Sequence, residues 1–100
     1  MNQPDPVIHQ PVRLRLMAML EPLPRNELIE FVRLRKILDT SEGNLSLHLQ
    51  TLEQAGYVVI EKDFADNRPR TRVKLTRQGR AAYGFYIDFL REIVADYSAA

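Results

Sequence analysis

The stretch TSEGNLSLHLQTLEQAG, residues 40–56, carries small polar side chains at helical spacing. Read as a helix at about 100° per residue, it places Leu45, Leu49 and Leu52 within about 60° of one another, as a predicted buried stripe. The opposite side and its flanks carry short or amide-bearing groups and one leucine: Gly43, Asn44, Ser46, Leu47, Gln50, Thr51 and Gln54. Such groups match the donor and acceptor edges of bases and the oxygens of phosphates. The pattern therefore predicts a helix that lies in the major groove of DNA.

This predicted helix has signals at both ends. Ser41 is expected to cap it by accepting a hydrogen bond from the amide of Asn44, and Glu42 lies where the helix dipole favours a negative charge. Gly56 is expected to end it in a left-handed conformation. Gly43 has two interpretations that the sequence leaves open. It either lets the backbone approach DNA closely, where free amides attract anions, or packs against the preceding helix.

Basic residues are concentrated downstream of this helix. Residues 62–80 contain seven Lys or Arg against two Asp, a net charge of +5, which leaves −4 for the rest of a chain whose net charge is +1. Alternation in TRVKL, residues 71–75, predicts a strand with its cations on one face. Four cations then form an exposed ribbon that can neutralise phosphates or enter a minor groove: Arg68, Arg70, Arg72 and Lys74. A solvated face with incidental arginines is the alternative.

The two histidines, His9 and His48, raise the question of a metal site. They are far apart in a chain without cysteine and have no acidic partner at helical spacing, so the signal for a metal is weak. We expect His48 to contact a phosphate in preference to a local hydrogen bond, and Arg13 to form a structural ion pair. No nucleophile elbow or phosphate-binding loop is present, and no base has an orienting acid. We therefore expect no enzyme activity, no metal and no cofactor.

These groups need a scaffold, and proline and capping residues divide the chain into segments. Pro11 suits the first position of a helix that ends at the prolines of residues 22–24. Asn26 is then expected to cap a second segment. That segment is predicted to have a short helix or an extended piece around residues 28–31, followed by a helix up to an Asp-Thr turn at residues 39–40.

The period of the sequence changes after the third helix. YVVIEK, residues 57–62, is β-branched and aromatic, and TRVKL alternates, so we predict a two-stranded hairpin, which we call the wing. The intervening FADNRPR, residues 64–70, is expected to be a turn with Asp66-Asn67 at its tip. Three helices, two strands and a final helix predict an α+β, mostly helical fold, the winged helix-turn-helix.

The final helix, capped by Thr76 and running to about Tyr97, carries more apolar groups than one buried stripe needs. Either the first helix and the wing cover most of this surface, or a second copy of the chain covers the rest. We prefer the second copy, which makes a symmetric dimer. The expected dimer interface is Tyr83, Tyr86, Ile87, Leu90, Ile93, Val94 and Tyr97.

Composition limits the class of protein. A chain of 100 residues with 45% hydrophobic content makes one compact domain and has no room for a deep cleft between domains. The absence of cysteine is compatible with a reducing cytoplasm, and no apolar run is long enough to cross a bilayer. We expect one cytoplasmic domain over residues 1–100. Its helix-turn-helix is expected over about 27–55, its wing over 57–75 and its C-terminal helix over 77–97.

Two stretches carry a family resemblance: TSEGNLSLHLQTLEQAGYV and NRPRTRVKLTRQGRAAY. They resemble the winged-helix transcriptional regulators of the MarR/ArsR-like superfamily, in its small single-domain branch, and DPVIHQPVRLRLMAML is similar to that branch's first helix. The resemblance implies DNA binding, with Arg68 and Arg70 in the wing. Relatives of the arsenical-repressor type often carry arginine where this chain has Leu47, so the resemblance does not imply an arginine–guanine contact here and leaves room for apolar contact with a thymine methyl group. The resemblance places these residues on or near the DNA-facing side: Ser41, Asn44, Ser46, Leu47, His48, Gln50 and Thr51.

The sequence therefore predicts a homodimeric transcriptional regulator that binds double-stranded DNA at an inverted repeat. Repression is preferred to activation because only DNA-binding elements are recognised, and no membrane partner is expected. The sequence does not define a small-molecule effector. The alternative is a winged helix that serves only as a protein-interaction module, and affinity for DNA distinguishes the two. The full set of predicted DNA contacts is Ser41, Gly43, Asn44, Ser46, Leu47, His48, Gln50, Thr51, Arg68, Arg70, Arg72 and Lys74.

Overall fold

The computed structural model describes residues 3–98 and has the winged-helix architecture with a long C-terminal helix that the sequence predicts. Its elements are α1 (Pro11–Leu20), β1 (Ile29–Glu30), α2 (Phe31–Leu38), α3 (Glu42–Gln54), β2 (Val58–Ala65), β3 (Arg68–Leu75) and α4 (Arg77–Ser98). The three strands form one antiparallel sheet in the order β1, β3, β2. Over the described residues, each helix is too short or too polar to cross a membrane.

Local signals set the ends of α1 and α3. The first residue of α1 is a proline, and the side chain of Gln10 accepts a hydrogen bond from the amide of Arg13 at 2.9 Å. Ser41 caps α3 by accepting from the amide of Asn44 at 3.1 Å, as predicted. Beyond the other end of α3, Gly56 has a φ of +82°, a left-handed conformation that glycine adopts without strain.

The segment before α2 differs from the prediction that Asn26 caps a helix. Asn26 has a φ of +68° and lies in a turn in which the amide of Glu27 donates to the carbonyl of Pro24 at 3.0 Å. The chain then continues as β1, and α2 begins after Glu30, whose side chain makes no capping hydrogen bond. Of the two forms predicted around residues 28–31, the extended one is present. Because β1 pairs with β3, the predicted two-stranded hairpin is part of a three-stranded sheet.

The wing, formed by β2 and β3, has longer strands than predicted because its turn has only two residues. Asp66 and Asn67 have φ angles of +52° and +61°, the left-handed pair that a tight type I′ hairpin turn requires. The prediction of a turn over residues 64–70 is therefore wrong except at residues 66–67. The residues on both sides of this pair belong to the strands, where Phe64 is opposite Pro69. Pro69 is accommodated because β1 pairs only with the inner end of β3, which leaves the outer end as an edge.

The core lies between the helices and one face of the sheet. Leu45, Leu49 and Leu52 of α3 are at most 1% exposed, which confirms the predicted buried stripe. Around them lie the other buried apolar residues: Ile8, Leu16, Met17, Leu20, Leu34, Val58, Val73 and Tyr86. At roughly 1.5–3 kcal/mol for each fully buried side chain, the stripe alone contributes several kcal/mol. The core therefore does not need the opposite face of α3, and that face can bind a partner.

The joint between α3, β2 and α4 depends on Thr76 and Gly79. Thr76 caps α4 as predicted, because its hydroxyl oxygen accepts from the amide of Gly79 at 2.9 Å. The same hydroxyl donates to the carbonyl of Gly56 at 2.6 Å, and the amide of Thr76 donates to the carbonyl of Tyr57 at 3.0 Å. α4 crosses Tyr57 so closely that a Cβ on Gly79 would lie 2.1 Å from the Tyr57 carbonyl oxygen. We call this arrangement the Thr76 joint.

The Thr76 joint makes Gly79 sensitive to substitution. Gly79→Ala is expected to lower the free energy of unfolding by about 3 kcal/mol, because the backbone of Tyr57 or α4 must move to admit the methyl group. Gly84→Ala in the same helix is the control, since a Cβ there has nothing within 4 Å and alanine favours a helix by up to about 1 kcal/mol. Urea unfolding followed by circular dichroism measures both, and equal stability of the two variants would contradict the prediction.

Candidate nucleic-acid interface

The face of α3 opposite the leucine stripe is open to solvent. Asn44 and Gln50 are exposed, and Leu47 is 61% exposed. The Nδ2 group of Asn44 donates to Thr40 Oγ1 at 2.7 Å, which leaves its carbonyl oxygen and a second N–H available to a ligand. Thr51 is half-buried, and its hydroxyl donates to the carbonyl of Leu47 at 3.2 Å, so its proton is already used within the helix. The polar groups that α3 offers most freely are therefore three amide side chains, those of Asn44, Gln50 and, at its last residue, Gln54.

The first turn of α3 leaves room for a close approach. Gly43 is exposed, and a Cβ added to it would have nothing within 4 Å. The interpretation of Gly43 as a packing residue against α2 is therefore wrong. Ser41 and Glu42 are also exposed, and Ser46 is half-buried at the flank of the open face. The amides of an uncovered helix N-terminus attract anions, so the geometry is compatible with a phosphate at this turn.

His48 lies beside the leucine stripe and is half-buried. Arg13 Nη1 of α1 donates to His48 Nδ1 at 3.1 Å. Because a guanidinium can only donate, Nδ1 is the acceptor and the proton of the neutral ring lies on Nε2. Burial, and then the positive charge of Arg13, lower the pKa of His48 below its ordinary value of 6.5. The two roles considered for His48, a local hydrogen bond and a phosphate contact, are thus compatible, since Nε2–H stays available as a donor.

Arg13 differs from the expectation of a structural ion pair. Its guanidinium binds backbone carbonyls instead: Nε donates to Val7, and Nη2 donates to Pro6 at 3.5 Å. With the bond to His48, these contacts connect α3 through α1 to the residues that precede α1. Arg13 is therefore structural, as expected, but it acts through hydrogen bonds and not through a carboxylate.

The segment before α1, residues 3–10, was not among the predicted functional parts. Asp5 holds it in place, because its carboxylate accepts from the amide of Val7 at 2.9 Å and from the hydroxyl of Tyr57. Burial, followed by the hydrogen bond to Asp5, raises the pKa of Tyr57 to about 12. The Asp-Pro pair of this segment is a turn signal that indicates local structure. Its contact with Tyr57 depends on the tertiary fold, so the sequence alone did not reveal the link to β2.

The wing carries fewer free cations than predicted. Cross-strand pairing places Arg70 opposite Asp63 and Arg72 opposite Glu61 on one face of the hairpin. Arg70 holds Asp63 through two hydrogen bonds, of 2.9 and 2.7 Å, and Arg72 donates to the same carboxylate at 3.2 Å. The hydrogen bond from Arg70 is the main reason why the pKa of Asp63 lies below its ordinary value. Asp63 thus joins two of the predicted DNA contacts to each other.

The predicted ribbon of four exposed cations is corrected accordingly. Arg70, Arg72 and Lys74 are half-buried, and of the four only Arg68 is exposed. A signal for this pairing was present in the sequence. With residues 66–67 at the tip, counting outwards places residue 63 opposite 70, and carboxylates directly across from arginines attract them.

α4 extends past the body of the chain. Tyr86 is 4% exposed and its hydroxyl forms a hydrogen bond of 2.7 Å with His9 Nδ1, so it belongs to the core and not to the predicted dimer interface. At about 100° per residue, Ile93 and Tyr97 lie within about 20° of Tyr86 and continue its stripe. Yet Ile93, Val94 and Tyr97 are 40%, 64% and 76% exposed. The other predicted interface residues are half-buried: Tyr83, Ile87 and Leu90. The apolar stripe therefore continues along α4 beyond the last residues that pack on the core. Within residues 3–98, nothing covers its C-terminal end.

Both histidines are used in hydrogen bonds within the chain. His9 bonds to Tyr86 and also meets the ring of Phe89 edge-on, with centroids 6.4 Å apart. His48 bonds to Arg13. In the part of the chain that the structure describes, no three His, Asp or Glu side chains come together in a way that could hold a metal ion.

Comparisons with known proteins agree with this geometry. A family model described as a winged helix DNA-binding domain matches residues 12–94. A protein of uncharacterised function from Methanocaldococcus jannaschii is 36% identical over 81 residues, which cover 81% of this chain and 85% of that protein. The structure of a transcriptional regulator homologue from Pyrococcus horikoshii aligns with a TM-score of 0.81 at 33% identity, over 90% of this chain and 86% of that chain. A protein described as a MarR-family regulator from Enterococcus faecalis aligns with a TM-score of 0.73 at 26% identity, over 93% and 83%.

The contact between His48 and Arg13 predicts a pH dependence of stability. The folded chain binds a proton at His48 less readily than the unfolded chain does, so this contribution is present above pH 6.5 and is lost as pH falls through the lowered pKa. His48→Asn keeps an acceptor but cannot be protonated. When the pH falls from about 8 to about 5, the free energy of unfolding of the wild type should decrease relative to that of His48→Asn. This decrease should be smaller when both proteins also carry Arg13→Gln, because one cause of the lowered pKa is then removed. A pH-independent difference in urea midpoint would rule out this linkage.

Proposed function

We propose that this chain, which belongs to the family of winged helix DNA-binding domains, regulates transcription in the cytoplasm by binding double-stranded DNA as a homodimer. The observation that carries the proposal is the open face of α3, where uncharged hydrogen-bonding groups and an exposed leucine lie opposite a buried leucine stripe. A major groove is wide enough for an α-helix and presents base edges that such groups match. The similar proteins described as transcriptional regulators support the same function.

In this proposal, α3 lies in the major groove. Asn44 and Gln50 each offer a donor and an acceptor to a base edge, and Leu47 offers apolar contact to a thymine methyl group. The uncovered amide of Gly43 and the Nε2–H of His48 suit phosphate oxygens, which position the helix without reading sequence. Three hydroxyl side chains complete the proposed contact set of α3: Ser41, Ser46 and Thr51.

The proposed contribution of the wing differs among its cations. Arg68 is exposed at the outer end of β3 and is the first candidate for a phosphate contact, and Lys74 is half-buried at the inner end. Arg70 and Arg72 share the carboxylate of Asp63, so either must give up part of an ion pair to bind a phosphate. Their main role in this proposal is to hold the hairpin in one shape, while Arg68 supplies charge.

A second copy of the chain is the proposed cover for the apolar stripe of α4. A two-fold axis lets the same patch, centred on Ile93, Val94 and Tyr97, bury itself on both copies at once. The two α3 helices then meet successive major grooves, about 10 base pairs or a multiple apart, so the site is an inverted repeat. Because a dimer bound in this way excludes other proteins from the DNA, repression is the proposed mode of regulation.

Selection of duplexes from a random-sequence pool by the purified protein tests the DNA-binding proposal. An inverted repeat is the expected product. Gln50→Ala and Asn44→Ala are then expected to lose about 1–3 kcal/mol of discrimination between the selected site and mutated sites, because one base edge loses its partner. Affinity for unrelated duplexes should change less, since phosphate contacts are intact.

Asp96→Ala is the control for α3, because it truncates an exposed polar side chain near the far end of α4, away from α3. It should leave discrimination unchanged. Unaltered discrimination in Gln50→Ala and Asn44→Ala would remove these residues from base readout. Failure to enrich any sequence, with salt-insensitive binding to a protein instead, would favour the interaction module over a DNA-binding function.

The dimer proposal is tested at the exposed end of α4. Ile93→Glu combined with Val94→Glu should give a folded monomer, because both positions are exposed in the single chain but would place charges in the apolar interface. Sedimentation should show this monomer, and its affinity for the inverted repeat should fall towards that for one half-site. Ala95→Glu, an exposed position on the other side of α4, should stay dimeric. A monomeric wild type at micromolar concentration, with full affinity for one half-site, would overturn the dimer.

A further inference from the structure

The outer half of the wing has a face that differs from the one bearing the ion pairs. Side chains alternate along a strand, so Lys62 and Phe64 share the face of β2 whose inner end carries Val58. Val58 is buried in the core, and α3 packs on β2 from that side. The side chains of Lys62 and Phe64 therefore lie on the same side of the sheet as α3, beyond the edge of the core.

Phe64 is an exposed aromatic residue at the end of this face. It is 74% exposed and lies directly opposite Pro69, next to the two-residue turn. Neither residue contributes to the core, which ends further in on the hairpin. An aromatic and a proline side by side thus form an apolar tip on an otherwise polar hairpin.

The tip is also rigid and positively flanked. The left-handed pair at residues 66–67 closes the hairpin without a flexible loop, and the bonds of Arg70 to Asp63 hold the strands together just behind it. Lys62 is exposed on the same face as Phe64, and Arg68 is exposed on the opposite face of the hairpin, beside Pro69. This charge is complementary to a polyanion, and it does not favour a purely apolar partner.

The dimensions of the wing match the groove spacing of DNA. Phe64 is six residues beyond Val58, or about 20 Å along an extended strand. With α3 in a major groove, the centre of the next minor groove is half a helical turn away, about 17 Å. A hairpin that starts at the core beside α3 is therefore long enough to span that separation.

The geometry points to Phe64 as an aromatic contact of the wing in the minor groove adjacent to α3. The ring packs on sugars and base edges or enters a flexible base step, as apolar side chains of minor-groove proteins do. Lys62 from the same face of the hairpin and Arg68 from the opposite face bind phosphates of the backbones that border the groove. This inference rests on the proposed DNA-binding function and adds to it an apolar contact that net charge does not reveal.

The test uses the duplex selected by the wild-type protein, about 30 base pairs long so that it holds two half-sites and their flanks. Because the proposed dimer places two wings on the duplex, Phe64→Ala should weaken binding about thirtyfold, near the lower range for two aromatic–base contacts, and leave the slope of log K against log salt unchanged. Arg68→Ala should instead lower that slope by about two, one for each wing. Hydroxyl-radical footprinting should show that Phe64→Ala loses minor-groove protection beside the α3 site, and that Phe64→Trp keeps it.

Phe85→Ala is the matched control, because Phe85 is also 74% exposed but lies on α4, away from the wing. It should bind like the wild type. Unchanged affinity and footprint in Phe64→Ala would overturn the wing-tip contact while leaving the DNA-binding function intact. A changed oligomeric state of Phe64→Ala in sedimentation would assign the ring to a protein contact and would also overturn it. Absence of binding by the wild type to any duplex would overturn both proposals.

Discussion

The hydroxyl of Thr76 accepts one hydrogen bond and donates another, and the placement of every proposed contact surface depends on this pair. It accepts from Gly79 and so begins α4, and it donates to Gly56 and so fixes the end of α3. β2 starts two residues later, and Gly79 lies against Tyr57 with no space for a Cβ. α3, the wing and α4 therefore meet at a single joint that is held by the Thr76 hydroxyl and by backbone contacts. Side chains on the three outer surfaces can vary without disturbing it.

A second layer of contacts keeps the polar residues in place without burying them. Arg13 donates to two carbonyls of the segment before α1 and to His48, so the orientation of a residue on α3 is set from α1. Asp63 does the same on the wing, where it takes up much of the charge of Arg70 and Arg72. In both places the chain uses cations to order its own structure. The cations that stay exposed are fewer, and this limits how much of the proposed DNA affinity can come from charge alone.

Local signals were sufficient for much of this structure. Ser41, Thr76 and Gly56 set element ends through caps and a left-handed φ, which depend only on near neighbours, and the leucine stripe of α3 follows from helical period. Where tertiary contacts decide, the sequence was less informative. Asn26 resembles a cap but lies in a turn, because the chain ahead of α2 pairs with β3. Tyr86 fits an interface by spacing, yet the segment before α1 folds over it. Proline and two turn-forming residues suggested a long loop, but an edge position lets Pro69 stay within a strand.

The length of α4 has a mechanical consequence for recognition. Its 22 residues form one helix without an internal proline, about 33 Å long, with one end at the Thr76 joint and the other beyond the body. In the proposed dimer it acts as a lever. A tilt of about 5° at the joint displaces the far end by about 3 Å, close to the 3.4 Å rise of one base pair. In that dimer, the spacing between half-sites would depend on the contacts that hold α4 to the body, from the Thr76 joint to the hydrogen bond between His9 and Tyr86, and not only on the proposed DNA contacts. A substitution or a bound molecule that weakened these contacts would let the distance between the two α3 helices of the proposed dimer vary. The contacts that each α3 makes with its own half-site would be unchanged.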